Sequence, residues 1–552
     1  MSGATFRPSD AVDFLVIGTG AAGGVMAKEL STAGFRVVAL EQGPYLGVKD
    51  YTHDEIKYTY QPGLTNDPKV QPIAYRKNES EQAKPLKAIM YGRQVGGGSV
   101  HFTANYWRFH ESDFEERSQF GDVPGADLAD WPIKYGDLEP YYTKAEYDLG
   151  ISGLGGANPF EAPRSKPYPL PPMPVKSSGV LFERAAKKLG LHPYPAPMAI
   201  LSQPYQGRAA CVHCGFCEYF GCEMRAKSST LVSVIPIAEK TGRCEIRPNS
   251  YVRKIETDAH GRATGAIYFD ANRREVFQRA KAVVLCANGA ETARLLLLSK
   301  SKRFPQGLAN SSGLVGTHLM WDNGALAMGL FEHPLNEYKG IQVTRVLHDY
   351  YRADPKRGFY GGAGIDARFN YYPANFALTG MPPDAPTWGA EYKKMLAEYF
   401  THTMTVLAHT SSLPRRQNGI SLDPDRKDAW GLPAMRVTFD PHPDDVTTIK
   451  WALTKQVEIL EAAGAKKTWT SGVTLADMMP STHLMGTCRM GDDPKLSVVD
   501  RNNRAHDVPN LVIADGSSLV TSGRQQPTAT IQALAYRAAD LAIQAAKRGE
   551  LG

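Results

Sequence analysis

The chain has 552 residues, 42% hydrophobic and 22% charged, with a formal net charge of +6. The length predicts two or three domains, and the composition is typical of a soluble globular protein. The mild charge forms no like-charged block, so no nucleic-acid partner is expected, and no stretch offers the ~18 apolar residues of a transmembrane segment. The first apolar run lacks the features of a signal peptide. This predicts a cytoplasmic protein, or a periplasmic one that is exported together with a partner subunit.

The first predicted elements are a strand ("DFLVIG"), a helix ("AAGGVMAKELSTAG") and a second strand ("FRVVALE"). Between the first strand and the helix, "GTGAAG" matches the G-x-G-x-x-G pattern of dinucleotide binding, which does not separate NAD from FAD. The first glycine permits a tight turn, the second lets the backbone approach a pyrophosphate, and the third packs the helix on the strand. The pyrophosphate lies at the helix N-terminus, and an acid that ends the second strand binds the ribose. The predicted contacts are Gly18, Gly20, Ala21, Ala22, Gly23 and Glu41.

The next two hundred residues give weaker signals. Residues 45–90 lack clear periodicity and contain prolines and charges, which indicates a path over the surface. A glycine-rich turn with aromatic flanks follows in "YGRQVGGGSVHFTANYWRF". Residues 155–210 are rich in proline, which favours extended structure over packed helices.

Cys211, Cys214, Cys217 and Cys222 form a C-x2-C-x2-C-x4-C run that holds four of the seven cysteines. Short loops of this kind wrap several thiolates around one iron–sulfur cluster. Zinc also takes four thiolates, but its sites generally use two separated pairs, and two disulfides would be unusual in a chain without an export signal. The run therefore predicts an iron–sulfur cluster, 4Fe–4S on four thiolates or 3Fe–4S on three, with zinc and disulfides as the alternatives.

The second half of the chain predicts a separate domain followed by a return to the first. Residues 245–285 alternate apolar and polar positions around a turn, as an antiparallel ribbon would, and "ETARLLLLSKS" predicts a helix. Residues 321–480 combine strand-like stretches such as "HTMTVLAHT" with the long helix "DDVTTIKWALTKQVEILEAAG". The C-terminal part returns to a strand, "NLVIADGSS", and a helix, "PTATIQALAYRAADLAIQAAKR". Both ends of the chain are therefore expected to build one nucleotide-binding domain, with the middle inserted.

The C-terminal part also carries a family signature. "STHLMGTCRMG", followed by "VVDRNNRAHDVPNLVIADGSSLVTSGRQQPTATIQALAYRAAD", closely resembles the corresponding segment of the glucose–methanol–choline (GMC) flavin oxidoreductases. "GRQVGGGSVHFTANYWR" resembles the family's second glycine loop, "ANGAETARLLLLS" its internal helix start, and "LPRRQNGISLDPDRKDAWGLP" a strand of its substrate domain. The matches span residues 13–540. The resemblance implies FAD and an α/β fold, with a Rossmann-like FAD-binding domain and an inserted α+β substrate domain built on an antiparallel sheet.

The resemblance also implies domain boundaries. Each domain is discontinuous, because the substrate domain and the cysteine run interrupt the FAD-binding domain. The predicted ranges are 1–45, 85–110, 228–320 and 481–552 for the FAD-binding domain, 111–200 and 321–480 for the substrate-binding domain, and 201–227 for the iron–sulfur cluster segment.

The resemblance implies that catalysis occurs at His483, which matches the histidine that faces the flavin and takes the hydroxyl proton of an alcohol. The chemistry agrees, because a hydride leaves a carbinol carbon only as its oxygen loses a proton, and a base with a pKa of about 7 suits that task. The family's second catalytic position, usually His or Asn, falls on Gln526, or on Gln525 if the register shifts by one. Glutamine is no base at neutral pH, but its amide can donate to or accept from the substrate hydroxyl.

Further FAD contacts follow from the resemblance. His101 matches a histidine that some sugar-oxidising members bond covalently to the flavin, and the alternative is packing on the isoalloxazine ring. The other predicted FAD contacts are Arg93, Gly97, Gly98, Ser99, Asn105, Val252, Ala287, Asp515, Gly516, Pro527 and Thr528.

A cluster beside a flavin indicates a dehydrogenase. Flavin takes two electrons as a hydride and a cluster passes one at a time, so the cluster would lead electrons to an external acceptor, a cytochrome c or a quinone-linked partner. The resemblance points to the large subunits of bacterial gluconate, fructose and glucose dehydrogenases and of glucoside 3-dehydrogenases, which pair with a small exported subunit.

The resulting hypothesis is an FAD- and iron–sulfur-dependent dehydrogenase that oxidises a secondary hydroxyl of a sugar, glycoside or sugar acid to a ketone. Within that class, glucoside C3 oxidation is the first choice. The rival hypotheses are oxidation at another carbon, an oxidase with structural cysteines, a non-redox lyase, and a redox-sensing binding protein.

Overall fold

The structure is a computed structural model that describes residues 5–474 and 479–551. Residues 1–4, 475–478 and 552 belong to the predicted domain ranges and lie outside the described residues. The described residues form three β-sheets with helices packed around them. Within this part of the chain, no helix combines the length and the apolar character that crossing a bilayer requires.

The strands of the described residues, in chain order, are β1 (Val12–Ile17), β2 (Val37–Leu40), β3 (Ile73–Arg76), β4 (Lys84–Pro85), β5 (Tyr194–Pro195), β6 (Cys244–Arg247), β7 (Tyr251–Thr257), β8 (Ala263–Phe269), β9 (Glu275–Leu285), β10 (Asn323–Leu330), β11 (Val343–Leu347), β12 (Ala363–Arg368), β13 (Thr403–Thr410), β14 (Gly419–Lys427), β15 (Pro433–Thr438), β16 (Lys467–Thr470), β17 (Arg504–Ala505) and β18 (Val508–Ile513). The α-helices are α1 (Ala21–Thr32), α2 (Glu116–Phe120), α3 (Tyr135–Leu149), α4 (Ser177–Lys188), α5 (Ile235–Lys240), α6 (Glu291–Leu298), α7 (Pro373–Asn375), α8 (Gly389–His402), α9 (Pro443–Ala462) and α10 (Thr528–Lys547).

The largest sheet is built from both ends of the chain. β18, β9, β1, β2 and β6 lie side by side in parallel, β17 closes one edge, and β7 and β8 continue from β9 as an antiparallel ribbon. Parallel strands that are buried on both faces appear in sequence as continuous apolar runs, which is why β1 and β2 could be predicted. Strands from both ends of the chain meet in this sheet, because β9 pairs with β1 on one side and β18 on the other, while the nucleotide-binding domain that both ends were expected to build stays a prediction.

The second sheet is antiparallel throughout, in the order β16-β10-β13-β12-β11-β5. Side chains on one face, such as Ile365 of β12 and Ala408 of β13, pack in a core that α4 and α9 cover. Because side chains alternate along a strand, their sequence neighbours lie on the opposite face. That face carries the polar residues Asp366, Arg368 and His409.

The third sheet, β14-β15-β3-β4, corrects one expectation. Residues 45–90 were expected to run over the surface, yet β3 and β4 lie there, and β3 pairs in parallel with β15, Ile73 opposite Met435. These strands of four and two residues are too short to show a period. The partner of β3 lies far along the chain, so no local pattern predicts the pairing.

Two helices also depart from expectation. The proline-rich stretch 155–210 was expected to lack packed helices. This is wrong for α4, because that part of the stretch contains no proline and can form a helix.

α3 falls in the predicted substrate domain but packs against α10. The hydroxyls of Tyr142 and Thr530 lie 2.6 Å apart, and Tyr536 donates to Asp148 at 2.7 Å. The predicted domain boundaries stay predictions.

Candidate active site

A cavity of about 270 Å³ opens at the carboxyl ends of β1, β2, β9 and β18, where ligands bind in open α/β sheets. Both predicted catalytic residues, His483 and Gln526, line it. Two predicted cofactor contacts do not: Gly23 faces the first glycine turn, and the Arg93 guanidinium lies 5.8 Å from the ring centre of Trp430. The predicted FAD contacts that line the cavity are Gly18, Gly20, Ala21, Ala22, Glu41, Gly97, Gly98, Ser99, His101, Asn105, Val252, Ala287, Asp515, Gly516, Pro527 and Thr528.

The glycine turn after β1 brings backbone to the cavity wall. Gly18 has a φ of +89°, which disfavours any side chain, and a Cβ there would lie 2.4 Å from the carbonyl oxygen of Cys286. A Cβ on Gly23 would lie 1.9 Å from the carbonyl oxygen of Gly18, so α1 can approach the strand only without a side chain at this position. α1 begins at Ala21 with its N-terminus at the cavity. Its free N–H groups suit a pyrophosphate.

Glu41 follows β2 and braces this turn. Its carboxylate accepts hydrogen bonds from the N–H of Thr19 at 3.1 Å, the Thr19 hydroxyl at 2.8 Å and the N–H of Gly43 at 3.1 Å. Burial raises the pKa of Glu41, and these hydrogen bonds oppose the rise. The carboxyl group is thus fixed at the cavity wall, where the ribose hydroxyls of a dinucleotide can reach it.

The second glycine loop presents polar atoms that need a ligand. Nε2 of His101 and both amide atoms of Asn105 are buried at the cavity without a hydrogen-bond partner among the described residues. Burial and, to a smaller extent, the charge of Lys227 lower the pKa of His101 to about 3, so the ring is neutral. A buried polar atom left unpaired costs about 1–3 kcal/mol. The polar edge of a flavin would satisfy such atoms, so the cavity fits FAD; a covalent bond from His101 stays a prediction.

His483 lies at the cavity with a carboxylate behind its ring. Its Nδ1 donates a hydrogen bond to Oδ1 of Asp322, whose side chain is only 5% exposed. The other carboxylate oxygen accepts from Nδ1 of His409 at 3.1 Å. Burial would raise the pKa of Asp322, but the charge that each histidine carries when protonated, together with their hydrogen bonds, holds it well below its usual range. Asp322 is therefore ionised and orients His483 with Nε2 as the acceptor nitrogen, as a general base requires.

Asp322 and His409 were not predicted from the sequence. Asp322 directly precedes β10 and His409 is near the end of β13, and the antiparallel register, Asn323 opposite Thr410, brings them together. The available signal was a histidine within an apolar strand, "MTVLAHT".

Gln526 completes the polar wall beside His483. Its amide Nε2 lies against the ring Nε2 of His409. Arg368 donates to the same ring nitrogen at 3.0 Å and is itself held by Oδ1 of Asp366 at 2.6 Å. The second sheet, through Arg368 of β12 and His409 of β13, thus supports Gln526 from behind the cavity wall.

The loop that carries Gln526 is anchored in the core. Gln525 does not line the cavity and donates instead to a backbone carbonyl. Arg524 is fully buried, and its Nη1 contacts Asp113 at 3.1 Å and Glu116 at 2.5 Å. Burial raises the pKa of Asp113 to about 7, although the charge of Arg524 opposes the rise. The Arg524 ion pairs therefore position the residue two places further along.

The cysteine segment lies beside the same cavity. The N–H of Tyr219 donates to the carbonyl of His101 at 2.8 Å, and Tyr219 lines the cavity. The buried ammonium of Lys227 donates to the carbonyls of Phe102 at 3.1 Å and Phe220 at 2.8 Å. Lys227 and Tyr219 thereby tie the cysteine segment to the second glycine loop.

The four cysteines extend from the interior to the surface. Cys217 is buried, Cys211 and Cys222 are half-buried, and Cys214 is exposed. The N–H of His213 donates to Sγ of Cys211 at 3.4 Å, a contact that favours a thiolate. Burial, with smaller contributions from the other three thiols, raises the pKa of Cys217 to about 12, although the charge of Lys227 opposes the rise.

The spacing of these thiols bears on the metal. Thiolates around one tetrahedral zinc would lie about 4 Å apart. Among the described residues, one group of three side chains has potential metal-ligand atoms within 4.8 Å of one another: Asp322, His409 and His483. Their hydrogen bonds to each other explain these short distances. No three of the four thiols, all of which lie among the described residues, are that close.

Comparisons with known proteins agree with this arrangement. Residues 12–320 and 414–535 match the N-terminal and C-terminal parts of the GMC oxidoreductase family. The chain is 35% identical over 539 residues to 2-methyl-1,2-propanediol dehydrogenase of Mycolicibacterium austroafricanum, covering 96% of this chain and 95% of that protein. It is 31% identical over 561 residues to the fructose dehydrogenase large subunit of Gluconobacter japonicus, covering 97% and 98%.

A solved structure shares the fold of this chain. The crystal structure of pyridoxine 4-oxidase from Mesorbium loti aligns with a TM-score of 0.64 at 18% identity, covering 96% of this chain and 99% of that one. This likeness confirms the predicted α/β fold with an inserted domain on an antiparallel sheet. The chain therefore belongs to the GMC oxidoreductases, FAD-dependent enzymes that oxidise CH–OH groups.

Proposed function

We propose that this enzyme oxidises a secondary hydroxyl of a sugar, glycoside or sugar acid to a ketone and passes the electrons through an iron–sulfur cluster to an external acceptor. Glucoside C3 oxidation is the first choice within that class. The observation that carries the proposal is the position of the cysteine segment, which borders the cavity of His483 on one side and exposes Cys214 on the other.

His483 acts as the base. Asp322 accepts its Nδ1–H, so Nε2 presents a lone pair to the cavity and takes the hydroxyl proton as the carbinol carbon loses its hydride. Bound FAD supplies the hydride acceptor. Gln526 orients the substrate from the neighbouring wall, and Asp322 stabilises the imidazolium that forms, because it lies in direct contact with that ring.

The relatives support a polyhydroxy substrate. One is named for a 1,2-diol and the other for fructose, and both compounds carry hydroxyls on neighbouring carbons. These names do not specify a glycoside, so the sugar and the carbon are part of the proposal.

The cysteine segment supports the electron route. The exit would run from the flavin, past the His101 loop, to a cluster on Cys211, Cys214, Cys217 and Cys222. A cluster passes electrons singly, which suits a cytochrome c or a quinone-linked acceptor. Since one relative is named a large subunit, we infer a small accessory subunit as a further partner, and periplasmic co-export with it as the alternative to a cytoplasmic location.

The decisive test is the metal content of anaerobically purified protein. We expect three to four irons with matching acid-labile sulfide per FAD, and cluster signals in electron paramagnetic resonance that change when a glucoside is added. Flavin bleaching by a panel of pyranosides, sugar acids and ketoses identifies the substrate. Zinc or no metal, with a flavin that air reoxidises rapidly, would instead indicate an oxidase with structural cysteines.

A further inference from the structure

We propose that the cavity selects substrates with hydroxyls on two adjacent carbons, because it presents two hydrogen-bond acceptors, Nε2 of His483 and Oε1 of Gln526. The inference rests on the proposed function and names its substrate class as vicinal diols, acyclic or within a sugar ring. It follows from the directions of the hydrogen bonds around Asp322 and His409.

Asp322 determines where both histidine rings carry a proton. An ionised carboxylate only accepts hydrogen bonds. Its two oxygens face Nδ1 of His483 and Nδ1 of His409, so both Nδ1 atoms must be donors. For a neutral ring, Nε2 is then an acceptor. His483 therefore offers an acceptor, and no donor, to a substrate.

Arg368 determines the state of the other ring nitrogen of His409. A guanidinium only donates, and Nη2 of Arg368 lies 3.0 Å from Nε2 of His409. The guanidinium is paired with Asp366, whose nearer oxygen is 3.7 Å from that ring nitrogen, too far for a hydrogen bond. Nε2 of His409 is therefore a lone pair that accepts hydrogen bonds.

The orientation of the Gln526 amide follows. Its NH2 group must face the lone pair on His409, since the reverse orientation would set two acceptors against each other. The carbonyl Oε1 then points away from His409 and has no hydrogen-bond partner among the described residues. Gln526 is 7% exposed and lines the cavity with His483, so a ligand in the cavity is the available partner for that oxygen.

One hydroxyl cannot satisfy both acceptors, because it has one hydrogen. In the reaction, the O–H proton of the oxidised hydroxyl goes to His483, the hydride of its carbon goes to FAD, and a C=O bond forms. A second hydroxyl, on the next carbon, donates to Oε1 of Gln526 and leaves the reaction unchanged. The product of a vicinal diol is then an α-hydroxy ketone or aldehyde.

The test compares substrates that differ only in the second hydroxyl. We would measure anaerobic flavin reduction by trans-cyclohexane-1,2-diol, 2-methoxycyclohexanol and cyclohexanol, and by propane-1,2-diol with the two propanols. For each substrate we divide the rate constant of flavin reduction by the substrate dissociation constant. We expect this quotient to be roughly 10- to 100-fold higher for each diol than for its mono-alcohol, because the mono-alcohol leaves a buried acceptor unpaired. Equal values for diols and mono-alcohols would overturn the inference and leave the proposed function intact.

One variant assigns the preference to Gln526. Gln526→Met removes the acceptor at similar length, and we expect the diol to mono-alcohol ratio to fall to near one. Because the readout is a ratio within one protein, partial misfolding does not mimic the result. A Gln526→Met ratio like that of the original enzyme would refute the assignment, and no reduction by any diol or pyranoside would overturn the proposed function itself.

Discussion

At the scale of single residues, the site depends on one carboxylate shared by two imidazoles. Asp322 accepts from His483 and from His409, so it orients the proposed base, His483, and, through His409, the amide of Gln526. His483 and Gln526 were predicted because they belong to a contiguous C-terminal signature. Asp322 and His409 were not, because each is an isolated residue in its segment and only the strand register brings them together.

Asp322→Asn should therefore impair chemistry more than binding. An asparagine has one acceptor and one donor, so it must present its NH2 to one of the two Nδ1 atoms and change the tautomer of that ring. We expect the rate of flavin reduction to fall by roughly 10²- to 10⁴-fold, as in a base that loses its orienting carboxylate, with a smaller change in substrate dissociation constant. Anaerobic stopped-flow absorbance of the flavin measures both.

The control is Asp127→Asn. Asp127 also pairs with a histidine, His318, at 3.5 Å, but neither residue lines the cavity. We expect its flavin reduction to stay close to that of the original enzyme. A reduction rate in Asp322→Asn within about three-fold of the original would show that the tautomer argument is wrong.

At the scale of elements, ion pairs anchor the loop that carries Gln526 in the protein core. Arg524 precedes Gln526 by two residues. Its guanidinium contacts the carboxylates of Asp113 and Glu116, and all three side chains are buried. Its carbonyl also accepts the N–H of Gly364 in β12 at 3.2 Å. The ion pairs tie the C-terminal loop to Asp113 and Glu116, and the backbone hydrogen bond ties it to β12 of the second sheet, so the loop that carries Gln526 is held at two places.

Arg524→Met should destabilise the fold. It leaves two buried carboxyls without a counter-charge, a change that typically costs about 3–5 kcal/mol. We expect a lower midpoint of unfolding in urea with an unchanged dependence of the free energy of unfolding on urea, measured by intrinsic fluorescence.

The matched control is Arg501→Met, which removes the exposed pair with Asp492 and should shift the midpoint little. Restoration of the midpoint in Arg524→Met by Asp113→Asn and Glu116→Gln would identify unpaired charge as the cause, and an unshifted midpoint in Arg524→Met would contradict it.

At the scale of the whole molecule, the sequence predicts the part of the fold that local patterns define. The glycine turn after β1, the ribbon from β7 to β9 and the helices α9 and α10 could be predicted, because each is long or carries a signature. The third sheet could not, because β3 has four residues and its partner is β15. The proposed electron route also depends on a contact between distant parts of the sequence. The cysteine run was evident in sequence, but its contact with the His101 loop could not be predicted from a local pattern.

The proposed electron route predicts that Cys214→Ser separates the two halves of the reaction. In the proposed mechanism, flavin reduction by substrate uses His483 and its neighbours rather than the cysteine segment, so we expect it to persist. Electron transfer onward would use the cluster, so turnover with a cytochrome c or a quinone should fall to background, while a small dye that reaches the flavin directly should still be reduced. Cys244→Ala, at a buried cysteine in β6 outside the run, is the control and should retain both iron and turnover. If Cys214→Ser still turned over with the cytochrome at the original rate, electrons would leave the flavin without a cluster that needs Cys214.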